Sequence, residues 1–304
     1  MTQDVYHEGE IAVQRRAGAR ERADKMAGMV EGSIPASEDV RALVDDQPHA
    51  VVASVDREGN VWTSFLTGRP GFIHVADDRT VRFEADPVDG DPLADHLREG
   101  VPAGVLLVDP RDRNRLRLNG VARPAGTGTG FDLAIEEAFP NCPKYIQRRS
   151  FDRVVDGGDG TGGKRTVVAG LRPDHREWIE SADTFFIGSY HPPAGADASH
   201  RGGDPGFVDV EGDTIVYPDY PGNSMFCTLG NVAAHSRVGL LFVDFTDGRT
   251  LQITGRAEIV WDDDRVAAVD GAERLVEITA ERTVDLAAGT PLRWSLEERS
   301  PFNP

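Results

Sequence analysis

SHRGGDPGFVDVEGDTIVYPDYPGNSMFCTLGN, residues 199–231, sets two polar, glycine-bearing loops around short apolar runs. GFVDVEGD and TIVYPD read as strands, because Val, Ile, Tyr and Phe recur in short runs closed by a Gly-Asp turn. Glycine lets a backbone lie close to a ligand. Arg201, Ser199, Asn223, Ser224 and loop N–H groups are the donors that hold phosphate oxygens. Taken alone, a glycine-rich stretch of this kind reads first as two ordinary hairpin loops.

The rest of the chain weighs against that plainer reading. Residues 64–122 fall on 199–257 without a gap, and 16 of the 59 aligned positions are identical. The matches include Ser64/Ser199, Gly68/Gly203, Gly71/Gly206, Phe72/Phe207, Gly104/Gly239, Leu106/Leu241, Asp109/Asp244 and Gly120/Gly255. A period this long marks duplicated domains rather than a solenoid. Each copy carries about six short strands and a helix, as a small closed β-barrel does. Two copies in one chain pack as a built-in dimer about a pseudo-two-fold axis. The expected fold class is mainly β with flanking helices (α+β), with tandem barrels. The expected division is a helical arm over 1–40, a first barrel over 41–155, a linker and helix over 156–180, and a second barrel over 181–304.

Working outward, residues 8–30 show helical spacing and read as one helix. Ser37 caps a short second helix to about Val44. Such an arm suits a partner subunit or the end of its own core, and a homodimer is an open expectation. HAVVASVD with VWTSFLTG and GFIHVA with TVRFEA read as hairpins. DPLADHLREG reads as a short helix, AGVLLVD and RLRLNGVARP as strands, and FDLAIEEAF (131–139) as a helix. DGGDGTGGK (156–164) is an acidic glycine loop. PDHREWIES reads as a helix, and strands resume after it. Short helices are expected near 224–235 and 263–269, before a mixed tail.

Composition narrows the partners. The chain has 304 residues, 39% of them hydrophobic, and a net charge of −18. That charge argues against nucleic acid and anionic membrane surfaces. Only Lys25, Lys144 and Lys164 are lysines, so nearly all positive charge is arginine. Cys142 and Cys227 make no disulfide framework. The eight histidines show no metal-ligand spacing, so no metal is expected. No apolar run reaches the ~18 residues of a membrane helix, and the first residues are unlike a signal peptide. A soluble, cytoplasmic protein is expected.

The order of these elements resembles the pyridoxamine 5′-phosphate oxidase-like, FMN-binding split-barrel superfamily. The second copy is the closer match, through ASHRGG (198–203), YPDYPGNSM (217–225), VGLLFVDF (238–245) and RTLQITG (249–255). The first copy, with GNVWTSFLTGRPGF, RNRLRLNG and NCPKYIQRR, is similar to the N-terminal half of tandem members. The resemblance implies FMN at the cleft between barrels. It implies transfer of hydride or electrons from a nicotinamide or deazaflavin donor to a small organic acceptor or dioxygen. Two departures stand out. The family's Ser-Arg-Lys loop is Gly222-Asn223-Ser224-Met225 here, and the glutamine after Arg is Thr250. The substrate motifs of vitamin B6 synthesis are not recognisable.

On this reading the cofactor-binding candidates are Ser199, His200, Arg201, Gly202, Tyr217, Asp219, Tyr220, Asn223, Ser224, Thr250, Gln252, Trp62, Arg115, Arg117, Lys144 and Tyr145. Arg201 suits a phosphate or the polar edge of a flavin ring, or is an exposed strand-end arginine. In RDRNRLRLNG, Arg113, Arg115, Arg117 and Asn119 share one face at period two. They form either a cationic stripe for an anionic cofactor or a solvated face paired with acids. Arg115 aligns with Thr250, so the first barrel is placed to supply cations that the second lacks. His200 and Tyr145 are the catalytic candidates, with surface and packing roles as their alternatives. Trp62 borders the ring or is core. Two other functions stay open. One is a haem-binding split barrel with His200 or His191 on iron, and the other is a non-catalytic flavin or ligand carrier.

Overall fold

The computed structural model describes residues 5–97, 100–126, 128–154 and 163–304. The chain opens with three helices, α1 (Glu8–Arg16), α2 (Arg20–Met26) and α3 (Glu38–Asp45). The single helix expected over 8–30 is broken at Gly18, whose φ of +63° ends the first segment. His7 caps α1, with Gly9 N–H donating to its Nδ1 and its own N–H donating to Glu10. Ser37 caps α3 through the Val40 N–H, as read from sequence.

Seven strands follow: β1 (His49–Val55), β2 (Val61–Thr67), β3 (Ile73–Asp77), β4 (Thr80–Phe83), β5 (Val101–Asp109), β6 (Asn114–Pro124) and β7 (Phe131–Pro140), with α4 (Leu93–His96) before β5. They pair in the order β2-β1-β5-β6-β7-β4-β3. The segment expected as a helix over 131–139 is β7. Phe131, Leu133 and Ile135 alternate inward, and β6 and β4 pair on its two edges. Period-two burial and two partners outweigh the helix propensity of its Ala and Glu residues.

The chain continues through β8 (Arg148–Val154), β9 (Arg165–Ala169), α5 (Pro173–Ser181), β10 (Thr184–His191), β11 (Gly195–Gly202), β12 (Asp209–Glu211), β13 (Thr214–Asp219), α6 (Cys227–Ala234), β14 (Arg237–Val243), β15 (Thr250–Val260), α7 (Asp263–Ala267), β16 (Arg274–Leu286) and β17 (Leu292–Glu298). The second sheet runs β11-β10-β14-β15-β16-β13-β12, the order of the first sheet strand for strand, with β9 added on β16. The duplication read from sequence is therefore a duplication of topology. The tail left unassigned supplies β16 and β17. The acidic glycine loop lies outside the described residues as far as 162.

Each barrel has its own core. Phe83, Phe131, Leu107 and Leu118 lie in the first, and Phe185, Tyr217, Phe242 and Ile253 in the second. A third cluster, with Val51, Phe65, Leu106, Phe186, Leu241 and Trp294, joins the barrels. Burying each such side chain contributes about 2 kcal/mol. The barrels meet β5 on β11 and β14 on β2, related by the pseudo-symmetry. The paired glycines explain themselves here. A Cβ on Gly104 would sit 2.5 Å from Asp197 Cα, and one on Gly239 would sit 2.7 Å from the Val61 carbonyl oxygen. The helical arm packs on its own second barrel, α1 against α6. The ribbon β8–β17 lies outside both sheets.

Candidate functional site

A cavity of about 130 Å³ lies where β6 of the first barrel faces β11, β13 and α6 of the second. Eleven of the sixteen candidates line it: His200, Arg201, Gly202, Asp219, Tyr220, Asn223, Ser224, Arg115, Arg117, Lys144 and Tyr145. The arginine stripe thus faces the second barrel, not solvent. Arg113 is the exception. It sits in the turn before β6 with φ +55° and bonds the Ile146 carbonyl and Glu298.

The cations are unequally compensated. Arg117 is buried, forks onto Asp197 at 2.9 and 3.1 Å, and also bonds Ser199. Asp219 pairs with Arg274 at 2.9 Å, and its negative charge also faces Arg201. Arg115 reaches only the carbonyl oxygens of Cys142 and Lys144, and it makes no ion pair among the described residues. Burial, then the charges of Arg117 and Arg201, push its pKa below the usual guanidinium value. The Nε atoms of Arg115, Arg117 and Arg201 are buried without a hydrogen-bond partner. An uncompensated buried cation is costly, so this cavity favours an anion. The start of α6 lines it through Cys227 and Thr228 and adds a positive dipole end.

Backbone strain holds the walls. Tyr145, Ser224 and Phe226 all have φ near +64°. Such residues cluster at functional sites. A Cβ on Gly202 would lie 2.1 Å from the Tyr145 carbonyl oxygen, so only glycine admits the 141–149 segment. The Tyr145 hydroxyl donates to the Pro221 carbonyl at 3.1 Å, and its ring tilts against Tyr220 at 5.2 Å. Burial pushes the Tyr145 pKa up to about 12. His200 is neutral, because burial and then Arg115, Arg201 and Arg149 hold its pKa well below the ordinary value. Neither catalytic candidate is therefore charged near neutral pH.

Five candidates lie elsewhere. Ser199 and Tyr217 are fully buried behind the cavity, Ser199 held by Arg117 and Thr228, and Tyr217 with its ring 5.9 Å from the Arg201 guanidinium. Trp62, Thr250 and Gln252 belong to the pseudo-equivalent position on the opposite side. There Gln252 donates to Ser64 (2.9 Å), Asp91 (3.1 Å) and the Thr63 carbonyl (3.0 Å), while Ser64 donates to Asp91 at 2.6 Å. Trp62 instead stacks under Arg282 and donates to Asp56. Thr250 is buried under Gly289. His191 is committed to Glu8 and to the Ala194 N–H, away from the cavity.

The sequence reading missed Arg22, Asn141, Phe226 and Glu273 on the cavity wall. Arg22 comes from the arm and Glu273 from the bend just before β16, both far away in sequence. Asn141 adjoins Cys142 in a segment already singled out, and it bonds Asn223 at 3.3 Å.

Fold and site together define a two-barrel protein with a cationic cavity between its barrels. Residues 171–292 match the family model described as Pyridoxamine 5′-phosphate oxidase. The match lies in the second copy, covers less than half of the chain, and makes that part similar to the pyridoxamine 5′-phosphate oxidase family. Among solved structures, HupZ of Group A Streptococcus is 14% identical, with 40% of this chain and 98% of that one covered at a TM-score of 0.33. A Lactobacillus delbrueckii protein provisionally assigned as a pyridoxamine 5′-phosphate oxidase is also 14% identical, with 38% and 93% covered at 0.32. At these scores both stand as likenesses only. No curated protein matches the sequence.

Proposed function

We propose that the protein is an FMN-binding oxidoreductase that moves electrons between a nicotinamide or deazaflavin donor and a small organic acceptor or dioxygen. One observation carries the reading: Arg115, Arg117, Arg201 and Lys144 converge on one interbarrel cavity, and Arg115 lacks a carboxylate. The family match over 171–292 supports a flavin among the anions that would satisfy it. The donor set fits a phosphate or the N1–C2=O edge of a reduced ring, through the orphaned Nε atoms and the α6 start. At about 130 Å³ the cavity is smaller than the ~300–1,000 Å³ typical of small-molecule pockets. It admits a phosphate or one ring edge, and a whole flavin requires its walls to part.

FMN, when bound, supplies hydride and single-electron chemistry of its own. Arg115 and Arg201 hold the ligand's negative charge. Arg117 keeps Asp197 and Ser199 in place. Neutral His200 offers one hydrogen bond without adding charge.

The test is an absorption spectrum of the purified protein and a mass measurement of any ligand released by heat. FMN in the native protein, lost at least tenfold in Arg115→Ala, is the expected result. Unchanged FMN content in that variant would remove Arg115 from the site. The small cavity and the missing Ser-Arg-Lys cations favour a second reading, a non-catalytic carrier of a smaller anion. It predicts a colourless protein that ignores FMN yet is stabilised by inorganic phosphate.

A further inference from the structure

A second cavity, of about 360 Å³, opens between the start of β1, the β2–β3 turn and the ribbon β8–β17. Its walls are Trp294, Leu292, Phe151 and Val154 with Pro48, Pro70, Pro110 and Pro291. Phe151 and Val154 are 40% and 52% exposed, which the packing of the barrels does not require. At its base sits His49, 3% exposed, stacked on Phe65 at 4.9 Å and edge-on to Trp294 at 5.5 Å. Its Nδ1 has no hydrogen-bond partner. Buried imidazoles are normally paired. Behind His49 a void of about 20 Å³, shared with His200, has room for one water. His49 thus lines both the cavity and the void.

The charges at the mouth cancel. Arg111 holds Asp109 bidentately, and exposed Arg69 is offset by exposed Asp46. A site with apolar aromatic walls, a neutral hydrogen-bonding base and no net charge matches an uncharged aromatic with one hydroxyl. The described residues of the second copy do not repeat the site. The position equivalent to His49 in the second copy is Thr184, which packs under Arg149, and the β8–β17 ribbon lies outside the repeat.

We propose that the 360 Å³ cavity is a binding site for a small uncharged phenol or aromatic alcohol, its ring packed against Trp294, Leu292 and Phe151 and its hydroxyl on His49. The site is independent of the cationic cavity and of any flavin.

Calorimetric titration with 4-cresol, toluene and 4-hydroxybenzoate tests it. The expected order is 4-cresol about fivefold tighter than toluene, as one net hydrogen bond gives, with charged 4-hydroxybenzoate weaker than both. His49→Phe, which keeps the stack on Phe65, should bind cresol and toluene equally. Leu292→Trp, which fills the cavity, should bind none of the three, with circular dichroism and melting checking that it folds. Equal cresol and toluene affinity in the native protein would overturn the proposal. So would undiminished cresol binding in folded Leu292→Trp, or no saturable binding at millimolar cresol.

Discussion

The two pseudo-equivalent positions between the barrels have diverged in opposite directions. Where β6 faces the second barrel, Arg115 and Arg117 project from positions that are Thr250 and Gln252 in the other copy. Where β15 faces the first barrel, Gln252 closes a buried network with Ser64 and Asp91. Even the partner serine is shared: Ser199 meets Arg117 and Ser64 meets Gln252. A duplicated chain is free to keep cations at one copy of a site and a neutral amide, Gln252, at the other. In a true homodimer each substitution would alter both sites at once.

The largest expected effect falls on the charged side. Arg117→Ala leaves the buried Asp197 carboxylate without its cation, so it should cost about 3–5 kcal/mol in urea unfolding. Its counterpart Gln252→Ala should cost about 1–3 kcal/mol, because the buried oxygens of Ser64 and Asp91 lose a donor. Equal losses would break the contrast. Gly104→Val and Gly239→Val should each cost about 1–3 kcal/mol by overpacking the interface. A silent variant of either would show that the barrels do not need both close approaches.

Asp91 gives the neutral side a pH signature. Burial raises its pKa to about 6, against hydrogen bonds from Ser64, Leu93 and Gln252. The folded state therefore prefers the protonated acid. Its contribution is complete below the unfolded pKa near 4 and is lost as pH rises through about 6. Native stability should fall by about 1–3 kcal/mol across that window, and Asp91→Asn should flatten the fall. Chemical denaturation at pH 4 and pH 7 reads it. The smallest effect is Trp62→Phe. It should leave ligand content unchanged and cost about 1 kcal/mol from the lost Asp56 bond and Arg282 stack.

The duplication was legible because the identities fall at fixed offset on glycines and core residues. Gly104 and Gly239 match for a steric reason that the close approach of the barrels supplies. The cationic loop and strand could be named because Arg201, Asn223 and Arg115 lie in local motifs. Which copy faces which cannot be read from the sequence, and the structure sets Gln252 and Trp62 apart from the cavity that Arg115 and Arg201 line. Sequence offset relates equivalent positions but does not say that each site draws on both copies. β7 was misread because Glu136, Glu137 and Ala138 favour a helix locally, while pairing with β4 and β6 is a long-range fact. Glu273 and β17 gave no local signal at all.

The β8–β17 ribbon has a kinetic consequence. Phe151 pairs opposite Trp294 across about 140 residues of chain. Each barrel can collapse on its own nearer contacts, so this clasp forms after both are in place. Loop closure over that span costs little more than over half of it, so its lateness reflects order of assembly rather than weakness. A late clasp of this kind slows the separation of the barrels more than it speeds their formation.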